Sequence, residues 1–458
     1  MKRFARIAAC LAAAVLLWSG GVGRAEVCFK PGAALRWRHE YWRNVRDMDD
    51  DARDNRNYFR LRTSVWGELD VDEAVTLFLK LTNENKAYAY FAGTSSSAAD
   101  KTASKKGYHY DIHEVIFDNL YVAFAQLPAG LELVVGRQDL CGLYGEGFLV
   151  YDGTPEDGSR THYFNAARLC WHADEKNRLN LVYANNPRDE EFLPALNESK
   201  LVRASDPTRD KVVSPLNRTD EQGAFLIWQN TTFDPLYLEP YFMFKREDEQ
   251  GGAGLQARRS RIYTHGAFAR YKEGATTLRG QFAWQLGDYG SASRHGLGGY
   301  FFIDRTFGAE DRPHEASLGF IYLSGDDRST ARQEAWDPLF SRYPWISNLL
   351  SQQAGNETGV GYYWTNLEIG RLGLQLCLTE KTSLDLAYNY LRAEEQVAPS
   401  AVYSGNGMEK GHLVQGQITH KLTKNVKTYF MAEVLFPGDF YQNKDKAFFL
   451  RTHVEIAF

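Results

Sequence analysis

Arginine and glutamate residues alternate with apolar residues in two segments near the start of the chain. Arg36, Arg38 and Glu40 fall at every second position of one segment, and Arg60 and Arg62 do so in the next. Successive side chains of a β-strand point to opposite faces, so each charged set shares one face. Guanidinium groups can bind carboxylates through two parallel hydrogen bonds. The chemistry that this pattern indicates is the recognition of anions.

The apolar residues of the same segments, such as Leu35, Trp37 and Leu61, occupy the opposite face. In a membrane strand, an arginine facing lipid near the bilayer centre costs roughly 2–4 kcal/mol, so the charged face must point inward. The same reasoning predicts further inward cations at Lys80, Arg168, Arg279 and Arg451. It also predicts inward carboxylates at Glu40, Glu68, Glu84, Glu132, Glu239, Glu433 and Glu455. These charges could form a substrate path or cross-strand ladders that stiffen the interior, and both interpretations stay open.

The sequence predicts neither catalytic residues nor a metal or cofactor site. There is no Gly-x-Ser-x-Gly motif, and the histidines lack a nucleophile at a recognisable spacing. Cysteines 28, 141, 170 and 377 lie far apart, without the Cys-x-x-Cys or Cys/His spacing of common metal sites. An enzyme is therefore the less favoured class.

The elements that must position the charges are strands, and the carboxyl end of the chain shows this best. Between 448 and 458 every second residue is apolar or Thr, ending in Phe458, and the residues between include Arg451, His453 and Glu455. A period of two with one apolar and one polar face is typical of a strand between lipid and water. A terminal Phe on such a strand resembles the signal that the barrel-assembly machinery recognises.

This alternation recurs along the chain and predicts eighteen strands. We place them near residues 33–43, 58–71, 74–84, 115–126, 130–138, 162–172, 177–185, 221–230, 235–246, 260–271, 276–286, 297–307, 314–324, 365–379, 382–392, 412–421, 425–436 and 446–458. Short turns alternate with long polar segments such as 85–114, 186–220, 325–364 and 393–411. Short periplasmic turns and long extracellular loops are typical of bacterial barrels. The predicted fold is an all-β transmembrane antiparallel β-barrel.

The amino terminus predicts export. Basic residues precede an apolar run from Ile7 to Trp18, and small residues precede a cleavage site after Ala25. We therefore expect a signal peptide at 1–25 and an outer-membrane barrel at 26–458. Without the four basic residues of the signal, 49 cations face 58 anions, a formal charge of −9, which argues against nucleic acid as a partner.

Two stretches resemble the alginate-export family of outer-membrane porins. The first runs from Leu35 to Tyr41 and continues at Arg56 to Arg62. The second runs from Asn119 through Arg137 and Gly145 to Leu169, and departs from the family at Asn165, where an Asp is usual. The resemblance implies an eighteen-stranded channel that exports an acidic polysaccharide.

These observations together predict an integral protein of the bacterial outer membrane, an anion-selective channel that passes a uronate-type polysaccharide or oligosaccharide. The alternative is a diffusion porin, general or substrate-specific, for small anions or sugar acids. A barrel enzyme or an adhesin explains the inward arginines less well. Expected partners are outer-membrane lipid, the barrel-assembly machinery and the anionic substrate, while a periplasmic export partner stays open.

Overall fold

The computed structural model describes residues 27–50, 55–91, 109–153, 159–196, 217, 219–249 and 258–458. The predicted signal peptide lies outside these residues. In the part of the chain that is described, no helix combines the length and the apolar composition needed to cross a bilayer.

Antiparallel strands form almost the whole molecule. The first half contains β1 (Cys28–Arg43), β2 (Arg56–Asp70), β3 (Val75–Phe91), β4 (His109–Ile112), β5 (Ile116–Leu127), β6 (Leu131–Gln138), β7 (Val150–Asp152), β8 (Phe164–His172), β9 (Asn177–Asn186), β10 (Glu221–Phe233) and β11 (Leu236–Glu247). The second half contains β12 (Ser260–Glu273), β13 (Thr276–Tyr289), β14 (Ala292–Ala309), β15 (Arg312–Leu323), β16 (Phe340–Ser341), α1 (Asn348–Thr358), β17 (Leu367–Thr379), β18 (Thr382–Arg392), β19 (Glu409–Lys421), β20 (Val426–Pro437) and β21 (Ala447–Ala457).

The sheet closes on itself. β1 pairs with β2 on one side and with the last strand, β21, on the other, and both pairings are antiparallel. β4 extends β5 against β3, and β7 and β16 stand apart from the sheet, so eighteen strand positions make up the wall. Closure leaves no unpaired edge, which is what a bilayer requires. The predicted barrel of eighteen strands is confirmed.

Alternation along the strands explains why the wall has two different faces. Phe282 and Trp284 of β13 are 57% and 48% exposed, whereas Gln281, Ala283 and Gln285 between them are buried. The exposed aromatic and aliphatic side chains form the outer surface, which in a membrane contacts lipid. Polar side chains on the inner face are covered by other parts of the chain.

Two segments that leave the barrel at its long-loop end turn back into it. Residues 139–153 and 159–163 form the first segment, which contains β7, and residues 324–366 form the second, which contains β16 and α1. β7 and β16 pair in parallel inside the barrel. Phe148 and Trp345 pack against Tyr300 of the wall, and Trp336 stacks on Phe148. We call these the first and second inward segments. The sequence predicts 325–364 as an external loop, and its apolar residues explain the difference, because inside the barrel they are removed from water.

Candidate functional site in the barrel lumen

Five guanidinium groups lie together on the inner face of three adjacent strands, and we call this surface the arginine wall. It consists of Arg36 and Arg38 of β1, Arg60 and Arg62 of β2, and Arg451 of β21. Arg36 lies directly opposite Arg62, and Arg38 directly opposite Arg60. The structure thus brings together five of the eight cations predicted from the sequence.

Glu84 of β3 holds the arginine wall on one side. Its carboxylate is fully buried and forms ion pairs with Arg36 and Arg60, and with Arg62 at 2.9 Å from Nε. Like charges directly opposite one another on neighbouring strands repel. A single carboxylate that forms ion pairs with all three guanidinium groups offsets much of that repulsion.

Glu40 of β1 performs the same role on the other side. It is fully buried, lies opposite Arg451 in the β1–β21 pairing, and accepts from Arg451 Nε at 3.0 Å and from the Tyr58 hydroxyl at 2.7 Å. Arg60 Nη1 lies 3.5 Å from the same carboxylate. Five guanidinium groups against the carboxylates of Glu40, Glu84 and Glu455, the last opposite Arg36, leave a formal charge of +2 on this wall.

Arg38 lies between the ion pairs of Glu84 and those of Glu40, and it differs from the other arginines of the wall. Its Nε donates to Nδ1 of His453 at 2.9 Å. Among the residues that the structure describes, no carboxylate comes within 4.0 Å of its guanidinium group. Glu455, which lies opposite Arg36, is instead 3.2 Å from Nε2 of His453. Arg38 is therefore the cation of the wall whose charge is least compensated.

Lys80 and Arg168 line a separate part of the lumen, toward the short-turn end. They border a cavity of about 450 Å³ together with Trp66, Phe78 and Tyr121. The rings of Phe78 and Tyr121 stack with their centroids 5.1 Å apart. Lys80 Nζ is 3.1 Å from Asp118. Aromatic faces beside two cations could hold a ring that carries a carboxylate.

Arg279 lies on the inner face of β13, away from the arginine wall. It pairs with Asp304 of β14 at 2.6 Å and with Glu146 of the first inward segment. Its charge is therefore offset by two carboxylates. This cation anchors an inward segment to the barrel, and its place on a substrate path stays a prediction.

Three of the predicted inward carboxylates have partners other than the arginine wall. Glu68 pairs with Lys30 at 2.8 Å near the short-turn end. Glu239 accepts from the backbone N–H of Gly145 at 2.8 Å and from Gln229 and Tyr237. Glu433 accepts from Asn348 N at 3.1 Å and Leu349 N at 3.0 Å. Glu239 and Glu433 thus fix the two inward segments to the barrel.

The first inward segment reaches from the arginine wall to the far side of the lumen. At one end, Arg62 donates to the carbonyl of Arg160 at 3.1 Å. At the other, Gly145 and Glu146 contact Glu239 of β11 and Arg279 of β13. A segment bonded to opposite walls necessarily narrows the passage between them. The lumen is therefore constricted at the level of the arginine wall.

The second inward segment is held by buried charges that the sequence analysis did not identify. Arg342 forms ion pairs with Glu221 and Glu247, at 3.1 Å for the latter, and Lys245 Nζ donates to the carbonyl of Leu339 at 2.9 Å. All four side chains are almost completely buried. Glu221, Lys245 and Glu247 occupy inner-face positions that the strand period could have identified. Arg342 lies in an irregular segment, where no period exists.

By its architecture the protein is an integral β-barrel of the bacterial outer membrane, with a lumen that inward segments narrow. The sequence matches no family model and no curated protein. Solved structures with a similar fold include OccK2 (OpdF) of Pseudomonas aeruginosa in complex with glucuronate, with a TM-score of 0.54 and 10% identity over 94% of this chain and 97% of that chain.

Two other solved structures show the same fold. OccAB4 of Acinetobacter baumannii has a TM-score of 0.52 and 12% identity over 94% of this chain and 98% of that chain. A BenF-like porin of Pseudomonas fluorescens has a TM-score of 0.53 and 8% identity over 95% of this chain and 99% of that chain. The chain therefore has the fold of an outer-membrane porin.

These similarities correct the family resemblance drawn from the sequence. The structural neighbours are porins of the Occ type, and the assignment to the alginate-export family is wrong. The repeated arginines of the first two strands suggested that family, but they have a physical explanation that does not depend on it. Inward positions on a strand are two residues apart, so two consecutive inward arginines on each of two neighbouring strands appear as Arg-x-Arg in both.

Proposed function

We propose that this protein is a diffusion channel for small anions, and that carboxylate-bearing molecules such as sugar acids are its substrates. The observation that carries the proposal is the arginine wall, with a formal charge of +2 at a constricted level of the lumen. Cations that line a narrow pore raise the local concentration of anions. Outer-membrane lipid and the barrel-assembly machinery are the partners that such a barrel requires.

Small substrates fit the lumen better than a polymer. The inward segments cross the lumen and are fixed to its walls by the ion pairs of Arg279 and Arg342 and by a hydrogen bond from Arg62. A path wide enough for a polysaccharide would require both inward segments to move out of the lumen. The structure of OccK2 in complex with glucuronate supports the same class of ligand, because that porin shares the fold. The guanidinium groups of Arg38 and its neighbours match the carboxylate of such a molecule.

The experiment is a measurement of single-channel conductance and ion selectivity in planar bilayers, with wild type compared to Arg38→Gln. Arg38 is suitable because removing it leaves the ion pairs of Glu40 and Glu84 in place. We expect wild type to prefer anions and the variant to lose about two-fold or more of that preference. Lys424→Gln removes the same charge from an exposed turn and should leave selectivity unchanged.

Competition then identifies the substrate class. Glucuronate added to the bath should reduce the chloride current of wild type more than that of Arg38→Gln, whereas glucose should not. A pore without anion preference, or equal block of both proteins by glucuronate, would contradict the proposal. Permeation by long oligouronates would reinstate a polymer as the substrate.

A further inference from the structure

Three side chains with metal-binding chemistry converge on the inner face of the barrel near its short-turn end. They are Glu132 of β6 and Cys170 and His172 of β8, and their donor atoms all lie within 4.8 Å of one another. Nε2 of His172 is 3.1 Å from Oε1 of Glu132 and 3.6 Å from Sγ of Cys170. We propose that this triad binds a single Zn²⁺ ion.

The strand geometry explains how the three ligands meet. Cys170 and His172 are two residues apart, so both point to the inner face while Trp171 between them is exposed on the outer face. Glu132 lies directly opposite Cys170 in the pairing of β6 with β8. Cysteine spacing along the chain could not predict this site, because the third ligand, Glu132, comes from the neighbouring strand.

Two of the three distances between the donor atoms agree with tetrahedral zinc. Zinc binds sulfur at about 2.3 Å and nitrogen or carboxylate oxygen at about 2.0–2.1 Å, so tetrahedral geometry places sulfur and nitrogen about 3.6 Å apart and nitrogen and oxygen about 3.3 Å apart. The observed separations from Nε2 of His172 are 3.6 Å to sulfur and 3.1 Å to oxygen. The third pair, the Glu132 carboxylate oxygen and the Cys170 sulfur, lies within 4.8 Å.

The ligand types favour zinc over magnesium or calcium. A thiolate and an imidazole are ligands that borderline-soft cations prefer, whereas magnesium and calcium prefer oxygen. Three protein ligands leave a fourth position for water or a small anion, as in catalytic zinc sites. Cys170 is buried, while the Glu132 and His172 side chains are 44% and 30% exposed, so an ion can reach the site from the lumen.

The backbone around the triad is held in place on both sides. Trp171 Nε1 donates to the carbonyl of Ala129 at 3.0 Å, which ties the end of β8 to the turn before β6. Gly130 in that turn has a φ of +73°, and a Cβ there would lie 2.8 Å from the carbonyl oxygen of His172. Ligands on fixed strands lose little conformational entropy when a metal binds.

Two neighbouring cations oppose the metal, and one of them offers a separate test. Arg168 of β8 and Arg178 of β9 both act on Cys170, and Arg178 lies directly opposite His172. With Cys170 and Glu132 ionised, the triad carries a formal charge of −2, which equals the positive charge of the two arginines in size. Removing the charge of Arg178 should strengthen the binding of a divalent cation.

The test uses the full refolded barrel in detergent, first with Co²⁺ as a spectroscopic substitute for Zn²⁺. We expect one Co²⁺ per chain and a thiolate-to-cobalt charge-transfer absorption in the near ultraviolet. Zn²⁺ should then displace it, and competition with a chromophoric chelator should give the zinc affinity. No charge-transfer band in wild type would overturn the proposal.

Substitutions of two of the three ligands and of two other residues test which side chains bind the metal. Cys170→Ser should abolish the band, His172→Gln should weaken zinc binding about ten-fold or more, and Arg178→Gln should strengthen it. Cys377→Ser, in another strand, is the matched control and should bind as wild type does. Heat-modifiable mobility in gels verifies that each variant is folded. A band that survives Cys170→Ser, or an affinity that Arg178→Gln leaves unchanged, would place the metal elsewhere and overturn the assignment.

Discussion

Arg36 and Arg62 face each other directly across β1 and β2, and both form ion pairs with the same buried carboxylate, Glu84. Two cations in such a position repel unless a shared anion lies between them. Placing Glu84 beneath Arg36, Arg60 and Arg62 keeps all three guanidinium groups on the lumen side. The wall can therefore hold a net positive charge without losing its structure.

Neutralising Glu84 should alter both selectivity and stability. In Glu84→Gln the three guanidinium groups lose their shared carboxylate, and breaking a buried ion pair in this way costs about 3–5 kcal/mol. We expect stronger anion preference in planar bilayers and a lower denaturant midpoint of unfolding.

Glu68→Gln is the matched control for Glu84→Gln, because Glu68 faces the lumen on the neighbouring strand but pairs with the exposed Lys30. It should leave the unfolding midpoint within error of wild type. Equal effects of the two substitutions would refute the special role of Glu84.

Loss of the Glu433 charge should loosen the second inward segment. Glu433 accepts from the first two backbone N–H groups of α1 and from the Ser347 hydroxyl at 2.6 Å. An anion at a helix N-terminus contributes about 0.3–1 kcal/mol, and up to about 2 when partly buried. In Glu433→Gln we expect faster hydrogen exchange of the α1 amides and larger fluctuations of the channel current.

Glu455→Gln is the control for this effect, because Glu455 lies on the adjacent strand and contacts His453 without touching α1. Hydrogen exchange in α1 should match wild type in that variant. If Glu433→Gln leaves α1 as protected as before, the carboxylate does not hold the segment.

The barrel and the inward direction of its charges follow from the strand period. Leu35 and Trp37 must face lipid, which turns Arg36 and Arg38 to the lumen, and the structure places them there. The partners of the carboxylates could not be predicted in this way. Glu433 contacts α1 about 85 residues away, through a segment without periodicity. The Glu132–Cys170–His172 triad joins two strands whose pairing register is needed to bring its members together.

The first inward segment should respond to pH through His162, which lies 3.6 Å from Asp152. Burial lowers the pKa of His162, but the negative charges of the nearby Asp152 and Asp139 carboxylates outweigh burial and the positive charge of Arg62, so the pKa is raised overall. A raised pKa in the folded state means that protonation favours the folded segment. The stabilisation is complete below the ordinary value of about 6.5 and is lost as pH rises through the raised pKa.

We therefore expect residues 139–153 and 159–163 to resist proteolysis better at pH about 6 than at pH about 8. His162→Gln should remove this pH dependence. His412→Gln, at a histidine of β19 that pairs with Glu409 outside the segment, should retain it. The same pH dependence in wild type and His162→Gln would exclude His162 as its source.

Arg342, the buried cation of the second inward segment, should hold that segment inside the barrel. In Arg342→Met, Glu221 and Glu247 lose their guanidinium partner, and an uncompensated buried charge costs about 3–5 kcal/mol. This is enough to release the segment from β10 and β11, so we expect a larger single-channel conductance and weaker anion preference. Arg246→Gln, which removes only the partly exposed pair with Asp248, should conduct as wild type does.

A compensated variant separates charge burial from general damage to the fold. Arg342→Met combined with Glu221→Gln removes one cation and one anion and leaves the buried Lys245 paired with Glu247, and replacing a buried ion pair with neutral groups is often neutral or stabilising. We expect this double variant to regain a conductance close to that of wild type. If it stays as open as Arg342→Met, packing around Arg342 holds the segment in place, and its ion pairs with Glu221 and Glu247 do not.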